Sequence, residues 1–208
     1  MKHSNIFPRH SNYDLPTAIK GDGCYIVDQN GKKYIDGSGG AAVSCLGHSD
    51  NTVKNAIIDQ IEKLAYVHTS FFSNEPAEKL ANLLAKISPS GLDKVYLVSS
   101  GSEAVEASIK LAKQYFIEIG KPKKHKVISR RQSYHGNTLG ALASGGNIWR
   151  RNFFEDLLIE TSLISPCYIY RNKRSDETEW DYGQRVAKEL EDEILNLGPD
   201  NVMAFIAE

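Results

Sequence analysis

Val95-Tyr96-Leu97-Val98-Ser99-Ser100-Gly101-Ser102-Glu103-Ala104-Val105 is the stretch from which the fold is read. Its first four residues are apolar and β-prone, the pattern of a short strand buried on both faces. The next four carry turn chemistry, with a glycine where the chain must bend sharply. From Ser102 onward the spacing becomes helical, with Val105, Ile109, Ala112 and Phe116 on one face. Ser102 suits the N-cap, and Glu103 and Glu106 sit in the first turns, where the helix dipole favours acids.

Working outward, the same alternation recurs. Downstream, Val127-Ile128 lies in a strand, Asp181 to Leu197 has helical spacing through Val186, Leu190 and Ile194, and Val202 to Ala207 is a strand again. Upstream, Val53, Ala56, Ile57, Ile61 and Leu64 predict a helix from near Asn51 to Ala65. A second helix opens near Pro76, where a missing N–H costs nothing, carries the stripe Ala77, Leu80, Ala81, Leu84 and Ile87, and stops before Pro89. Ahead of these, Cys24 to Val27 and Lys33 to Asp36 flank an Asn30-Gly31 turn and predict a β-hairpin. Strands alternating with helices predict an α/β fold with a mainly parallel, helix-covered sheet.

Composition narrows the function. Among 208 residues, 25 Lys and Arg balance 26 Asp and Glu, and 41% are hydrophobic. That balance argues against disorder and against a polyanion-binding surface. Cys24, Cys45 and Cys167 are scattered and form no C-x-x-C pair, as in a reduced cytosolic protein without a disulfide framework or zinc site. Met1 to Leu15 is polar, and no stretch approaches the ~20 apolar residues of a membrane span. The last strand runs to Glu208, at the end where α/β sheets build ligand crevices, so the chain reads as one cut short.

Three motifs carry chemistry. In Ser99 to Ala104 the first helical amides lack intrahelical acceptors and face outward at the positive end of the dipole, with the Ser100 and Ser102 hydroxyls beside them. This is either a phosphate cradle or an ordinary capped turn. Tyr134-His135-Gly136-Asn137-Thr138 follows a strand, where a ring can lie on a planar ligand and an imidazole can bind or pass a proton, or where both simply sit at a loop surface. Gly37-Ser38-Gly39-Gly40-Ala41-Ala42 matches G-x-G-x-x-A, but Gly47 interrupts any following helix, so it reads as a glycine-rich surface loop. G-x-x-x-x-G-K-[ST], H-E-x-x-H and G-x-S-x-G are all missing, and His48 and His68 stand singly.

Taken in order, Tyr34-Ile35-Asp36-Gly37 with Gly47-His48, Ser100 to Ala107 with Lys110-Leu111-Ala112, Tyr134-His135-Gly136, and Ala207-Glu208 resemble the class III pyridoxal-phosphate aminotransferases over nearly the whole chain. The resemblance implies a fold type I homodimer, with residues 1–50 in a small α+β domain and 51–208 in an incomplete cofactor-binding large domain. It places the phosphate of pyridoxal 5'-phosphate on Ser100, Gly101 and Ser102, and Tyr134 on the pyridine ring, followed by His135. Glu208 opens a Glu-Pro segment near the cofactor. Gly39 to His48 and Phe71-Phe72 would shape the substrate pocket across the dimer interface. The Schiff-base lysine and the acid that pairs with the ring nitrogen fall downstream of Glu208 in the family, so no catalytic residue is assigned within the chain. Lys54, Lys79, Lys110 and Lys113 lie in helical patterns, where a solvated amine keeps a high pKa.

The implied reaction is ping-pong transfer of an amino group from an amine or ω-amino acid to a keto acid. Two other readings stay open: a non-catalytic cofactor-binding or dimerisation module, and a racemase or aminomutase on the same fold.

Overall fold

The computed structural model describes residues 5–9, 12 and 14–208. The chain divides into two compact units, Met1–Asp93 and Lys94–Glu208.

In the first unit, β1 (Ala18–Asp22), β2 (Tyr25–Asp28) and β3 (Lys33–Ile35) form an antiparallel meander. The predicted hairpin is its β2–β3 half, with Tyr25 opposite Ile35 and Val27 opposite Lys33. Asp28 shapes the turn: Oδ1 accepts from Asn30 N at 2.8 Å and Lys32 N at 3.0 Å, and Oδ2 from the Tyr34 hydroxyl at 2.9 Å. Cys24, expected in a strand, lies in the tight β1–β2 turn. The glycine-rich loop is not a nucleotide-binding turn. Its single-turn element α1 (Gly39–Ala42) is left-handed, with φ of 54° and 60° at Gly39 and Gly40 and 59° and 67° at Ala41 and Ala42. Helices α2 (Asn51–Lys63) and α3 (Glu75–Ile87) follow as predicted, capped by Asp50 and Asn74.

The second unit centres on β4 (Lys126–Arg130), flanked in parallel by β5 (Thr161–Ile164) and β6 (Val202–Ile206) in the order β5-β4-β6. Helices α4 (Gly101–Glu118) and α8 (Glu179–Leu197) are its long elements. The core is built from Val127, Ile128, Ala141, Ala143, Ile164, Tyr182 and Val186. Two expectations change here. Val95 to Val98 is not a strand and is not buried: Tyr96 is 80% and Leu97 50% exposed. A β-prone run becomes a strand only where a neighbour accepts its ladder, and among the described residues no strand pairs with this run: the sheet is β5-β4-β6 alone. The cap of α4 is Ser100 rather than Ser102, because Ser100 has extended backbone and its Oγ accepts from Glu103 N at 3.2 Å.

Between β4 and β5 the chain makes α5 (Leu139–Ser144), α6 (Ile148–Arg151) and a 3-10 turn (Asn152–Leu157); α7 (Ile169–Asn172) precedes α8. Among the described residues no helix is long and apolar enough to cross a membrane.

Candidate functional site

Parallel strands place their carboxyl ends on one edge of a sheet, where α/β proteins build ligand sites. Ser129 of β4 lies opposite Ile206 of β6, so the segments that leave these two strands emerge side by side. One carries Tyr134 to Asn137 and the other ends in Glu208, whose Oε2 accepts a hydrogen bond from Tyr134 N at 2.6 Å. The amino end of α4 reaches the same loop. Ser102 Oγ donates to Asn137 Oδ1 and accepts from Asn137 N, both at 3.1 Å. The structure thus brings together Ser100, Gly101 and Ser102, Tyr134 and His135, and Glu208.

Gly136 makes the close approach possible. Its φ is +131°, and a Cβ there would stand 2.6 Å from Ser102 Oγ and 2.9 Å from the Ala141 methyl. Gly101 is open in the opposite sense, with nothing within 4 Å of where its Cβ would lie. The Gly101 and Ser102 amides belong to the first turn of an 18-residue helix and have no intrahelical acceptor. The Ser100 hydroxyl, which only accepts in the cap, keeps its proton to donate. These are donors that a phosphate fits.

Around this turn the loop offers a ring and an imidazole. Tyr134 is 47% exposed, with the Arg150 guanidinium 5.1 Å from its ring centroid. His135 Nε2 is buried without a hydrogen-bond partner. Burial holds this imidazole below its ordinary pKa, against the opposing pull of the Glu208 carboxylate. At neutral pH it is uncharged, so its free ring nitrogen is suited to a polar group of a bound molecule.

Sequence reasoning missed the residues that hold this arrangement. Glu106 does not serve its own helix: its Oε1 accepts from Thr138 Oγ1 at 2.5 Å, Gly140 N at 2.8 Å and Ala141 N at 3.1 Å, capping α5 from a neighbouring element. At the other end of α5, buried Arg151 donates through Nη1 to the carbonyls of Leu142, Ala143 and Gly145. An acid at the amino end and a cation at the carboxyl end both oppose the helix dipole and fix the loop that precedes it. Asn137 is equally invisible along the chain. Nothing in its local sequence signals a bond 35 residues away.

The lysines behave as solvated or structural groups. Lys79 pairs with Glu75 at 2.5 Å, and Lys113 Nζ donates to the carbonyls of Pro122 at 2.6 Å and Lys124 at 3.1 Å.

The first unit contains its own organised loop. Asp36 Oδ2 accepts from Ser44 Oγ at 2.9 Å and contacts His48 Nε2 at 2.8 Å, while Oδ1 accepts from Gly39 N at 3.0 Å. The Ser44 hydroxyl, then His48, hold this carboxyl below the usual range. The left-handed run from Gly39 to Ala42 is therefore tied at both ends to one carboxylate. Phe71 and Phe72 are 78% and 68% exposed.

Comparison with known proteins adds the following. Residues 7–208 match the family described as Aminotransferase class-III. An uncharacterized aminotransferase of Schizosaccharomyces pombe is 45% identical over 208 residues, covering 100% of this chain and 45% of that protein. The diaminobutyrate–2-oxoglutarate transaminase of Halomonas elongata is 36% identical over 194 residues, covering 90% of this chain and 41% of its own length. Among solved structures, the omega transaminase from Pseudomonas jessenii in complex with PMP superimposes with a TM-score of 0.89 at 30% identity, over 97% of this chain and 47% of that one. The chain spans just under half the length of the relatives it matches.

Proposed function

The chain belongs to the class-III aminotransferase family, of fold type I, and on that premise we propose that the protein moves an amino group from an amine or ω-amino acid to a keto acid, with pyridoxal 5'-phosphate as cofactor. The observation that carries this reading is the convergence of the α4 amino end, the Tyr134–Asn137 loop and Glu208 on one edge of a parallel sheet. The Gly101 and Ser102 amides and the Ser100 hydroxyl hold the phosphate group. The Tyr134 ring provides a flat surface for the pyridine ring. His135, kept neutral, offers its ring nitrogen to a polar group of the bound molecule, and Glu208 holds the Tyr134 backbone in place. When bound, the cofactor supplies the electron sink that makes exchange of an amine for a carbonyl accessible. None of the lysines in the helices is assigned the covalent role.

The choice of an ω-amino donor draws on the names of the diaminobutyrate and omega transaminases among the relatives. Assembly as a homodimer fits the exposed apolar side chains of α2 and α3, including Ile57, Ile61 and Leu83, which suit burial against a second copy. In that assembly residues 1–50 contribute to a small domain and 51–208 to the cofactor-binding domain, and the loop from Gly39 to His48 with Phe71 and Phe72 shapes the substrate pocket. The scattered cysteines fit a cytosolic location.

The test is an amino-transfer assay on the full-length protein loaded with pyridoxal 5'-phosphate, with diaminobutyrate and simple amines as donors and pyruvate or 2-oxoglutarate as acceptors. Formation of alanine or glutamate with matching loss of donor is expected. Isomerisation of the donor without consumption of the keto acid, or no product from any donor, would overturn the proposal.

A further inference from the structure

The unit Lys94–Glu208 holds a cavity of about 1050 Å3 near the carboxyl ends of β4 and β5. Small-molecule sites run to roughly 300–1,000 Å3, so the space suits a metabolite rather than a single water or ion. Three separate elements each place an arginine in its wall: Arg131 directly after β4, Arg171 in α7 and Arg185 in α8. Among the described residues no aspartate or glutamate lines it.

Two of these cations are uncompensated. Arg185 is neutralised by Glu177, with Nε donating to Oε1 at 2.6 Å and Nη2 to Oε2 at 3.0 Å, and Glu189 lies 3.9 Å from Nη1. Arg131 and Arg171 have no ion pair among the described residues. Arg131 donates its backbone N to the Ile164 carbonyl and makes no side-chain hydrogen bond among the described residues, and the Arg171 guanidinium lies over the Tyr168 ring at 5.8 Å. In a chain with 25 basic and 26 acidic residues, acids are plentiful, yet among the described residues none lines this space; Glu177 and Glu189 stand behind the wall, on Arg185 and on the Ser165 amide. Two like charges on one cavity repel, and an anion bound there turns that repulsion into attraction. The planar guanidinium forks match the paired oxygens of carboxylates and phosphates. Asn147, Asn172 and Ser165 add neutral hydrogen-bonding groups to the wall. Tyr182, whose hydroxyl donates to the Pro166 carbonyl and accepts from Tyr168 N, both at 2.9 Å, makes that side rigid.

We propose that this cavity binds a small anion carrying two or more negative charges, carboxylate or phosphate, held by the guanidinium groups of Arg131 and Arg171. The cavity shares no lining residue with the Ser100–Ser102 turn, so either site can fail alone.

The test uses phenylglyoxal, which modifies accessible arginines, on the full-length protein, with the modified positions mapped by peptide mass spectrometry. Pyrophosphate is the phosphate probe and citrate the carboxylate probe. One or both should slow modification of Arg131 and Arg171 by about tenfold, the occupancy effect of a ligand at some ten times its dissociation constant, while surface Arg174 reacts unchanged. Protection by one probe alone identifies the oxyanion type. Calorimetric titration with that probe should then lose about tenfold in affinity in R131Q/R171Q, the loss of about 1.4 kcal/mol of charge-assisted bonding. Equal protection of Arg174, the same slowing by sodium chloride at matched ionic strength, or protection by neither probe would overturn the site.

Discussion

Ser102 on the first turn of α4 and Asn137 in the loop beyond β4 bond each other twice, hydroxyl to carboxamide and backbone amide to hydroxyl, each at 3.1 Å. This pair joins the Ser100–Ser102 turn to the Tyr134–Asn137 loop, so that on the proposed reading a ligand held by its phosphate at the turn would meet the Tyr134 ring in a set position. The Ser102 proton points at Asn137 rather than outward, which leaves the main chain and Ser100 to face an anion.

Replacing Ser102 with alanine removes both bonds while leaving the Ser100 cap. The expected cost is about 1–2 kcal/mol, two net hydrogen bonds, measured by urea unfolding of the full-length protein. Pyridoxal-phosphate affinity should fall with it. An unchanged affinity in S102A would show that the pair does not position the cofactor loop.

Glu106 is expected to matter more than its place on a half-exposed helix suggests. E106A strips three hydrogen bonds from the start of α5 and should destabilise by about 2–3 kcal/mol, since the acceptor is a carboxylate. E106Q keeps an acceptor oxygen and should recover more than half of that loss. Equal unfolding midpoints for the two variants would refute the capping role.

Three glycines separate conformational need from habit. G136A places a Cβ against Ser102 at a φ that side chains rarely adopt, and G146A drives one into the Arg130 carbonyl oxygen. Each should cost about 2 kcal/mol or more. Gly183 lies inside α8 with nothing within 4 Å of its missing Cβ, so G183A should stabilise by about 0.5–1 kcal/mol. Thermal melts of the three variants check the ordering.

Acid stability should be governed in part by Glu177. The hydrogen bond from Arg185, with a second from Arg174 N, lowers its carboxyl from 4.5 to about 2. A group with a depressed folded pKa adds stability above its unfolded pKa and loses it as pH falls through the folded one. The wild-type stability curve should therefore decline between pH 4.5 and about 2, and the E177Q curve should be flatter across that window. Matching slopes in denaturant titrations at both ends of the window would contradict the assignment.

His135 follows the same sign. Its imidazole titrates below 6.5 because burial disfavours the charged form, so the stability it contributes is present above pH 6.5 and is lost as the pH falls below it. Proton NMR of its ring should give a midpoint under that of a free histidine. A midpoint above 6.5 would show that the Glu208 carboxylate outweighs burial.

Much of the second unit was legible because its signals are local. The apolar periodicity of α4 and α8, the apolar run of β6 and the glycine turn before α4 each follow from residues a few positions apart. Strand β5 was not: Thr161-Ser162-Leu163-Ile164 is half polar and four residues long, and it is a strand because β4 offers it a parallel edge. For the same reason Val95 to Val98, more strand-like by composition, has no ladder.

Local chemistry, then, settled which segments coil, which extend and where glycine must turn, and the motifs in order were enough to point to a family. The tertiary structure alone decided that Glu106 serves another helix, that Asn137 reaches Ser102, and that Arg131 and Arg171 line one cavity. Those outcomes depend on hydrogen bonds and charges between residues tens of positions apart. Such pairs exist only once the sheet has brought their segments together, and no spacing along the chain encodes them.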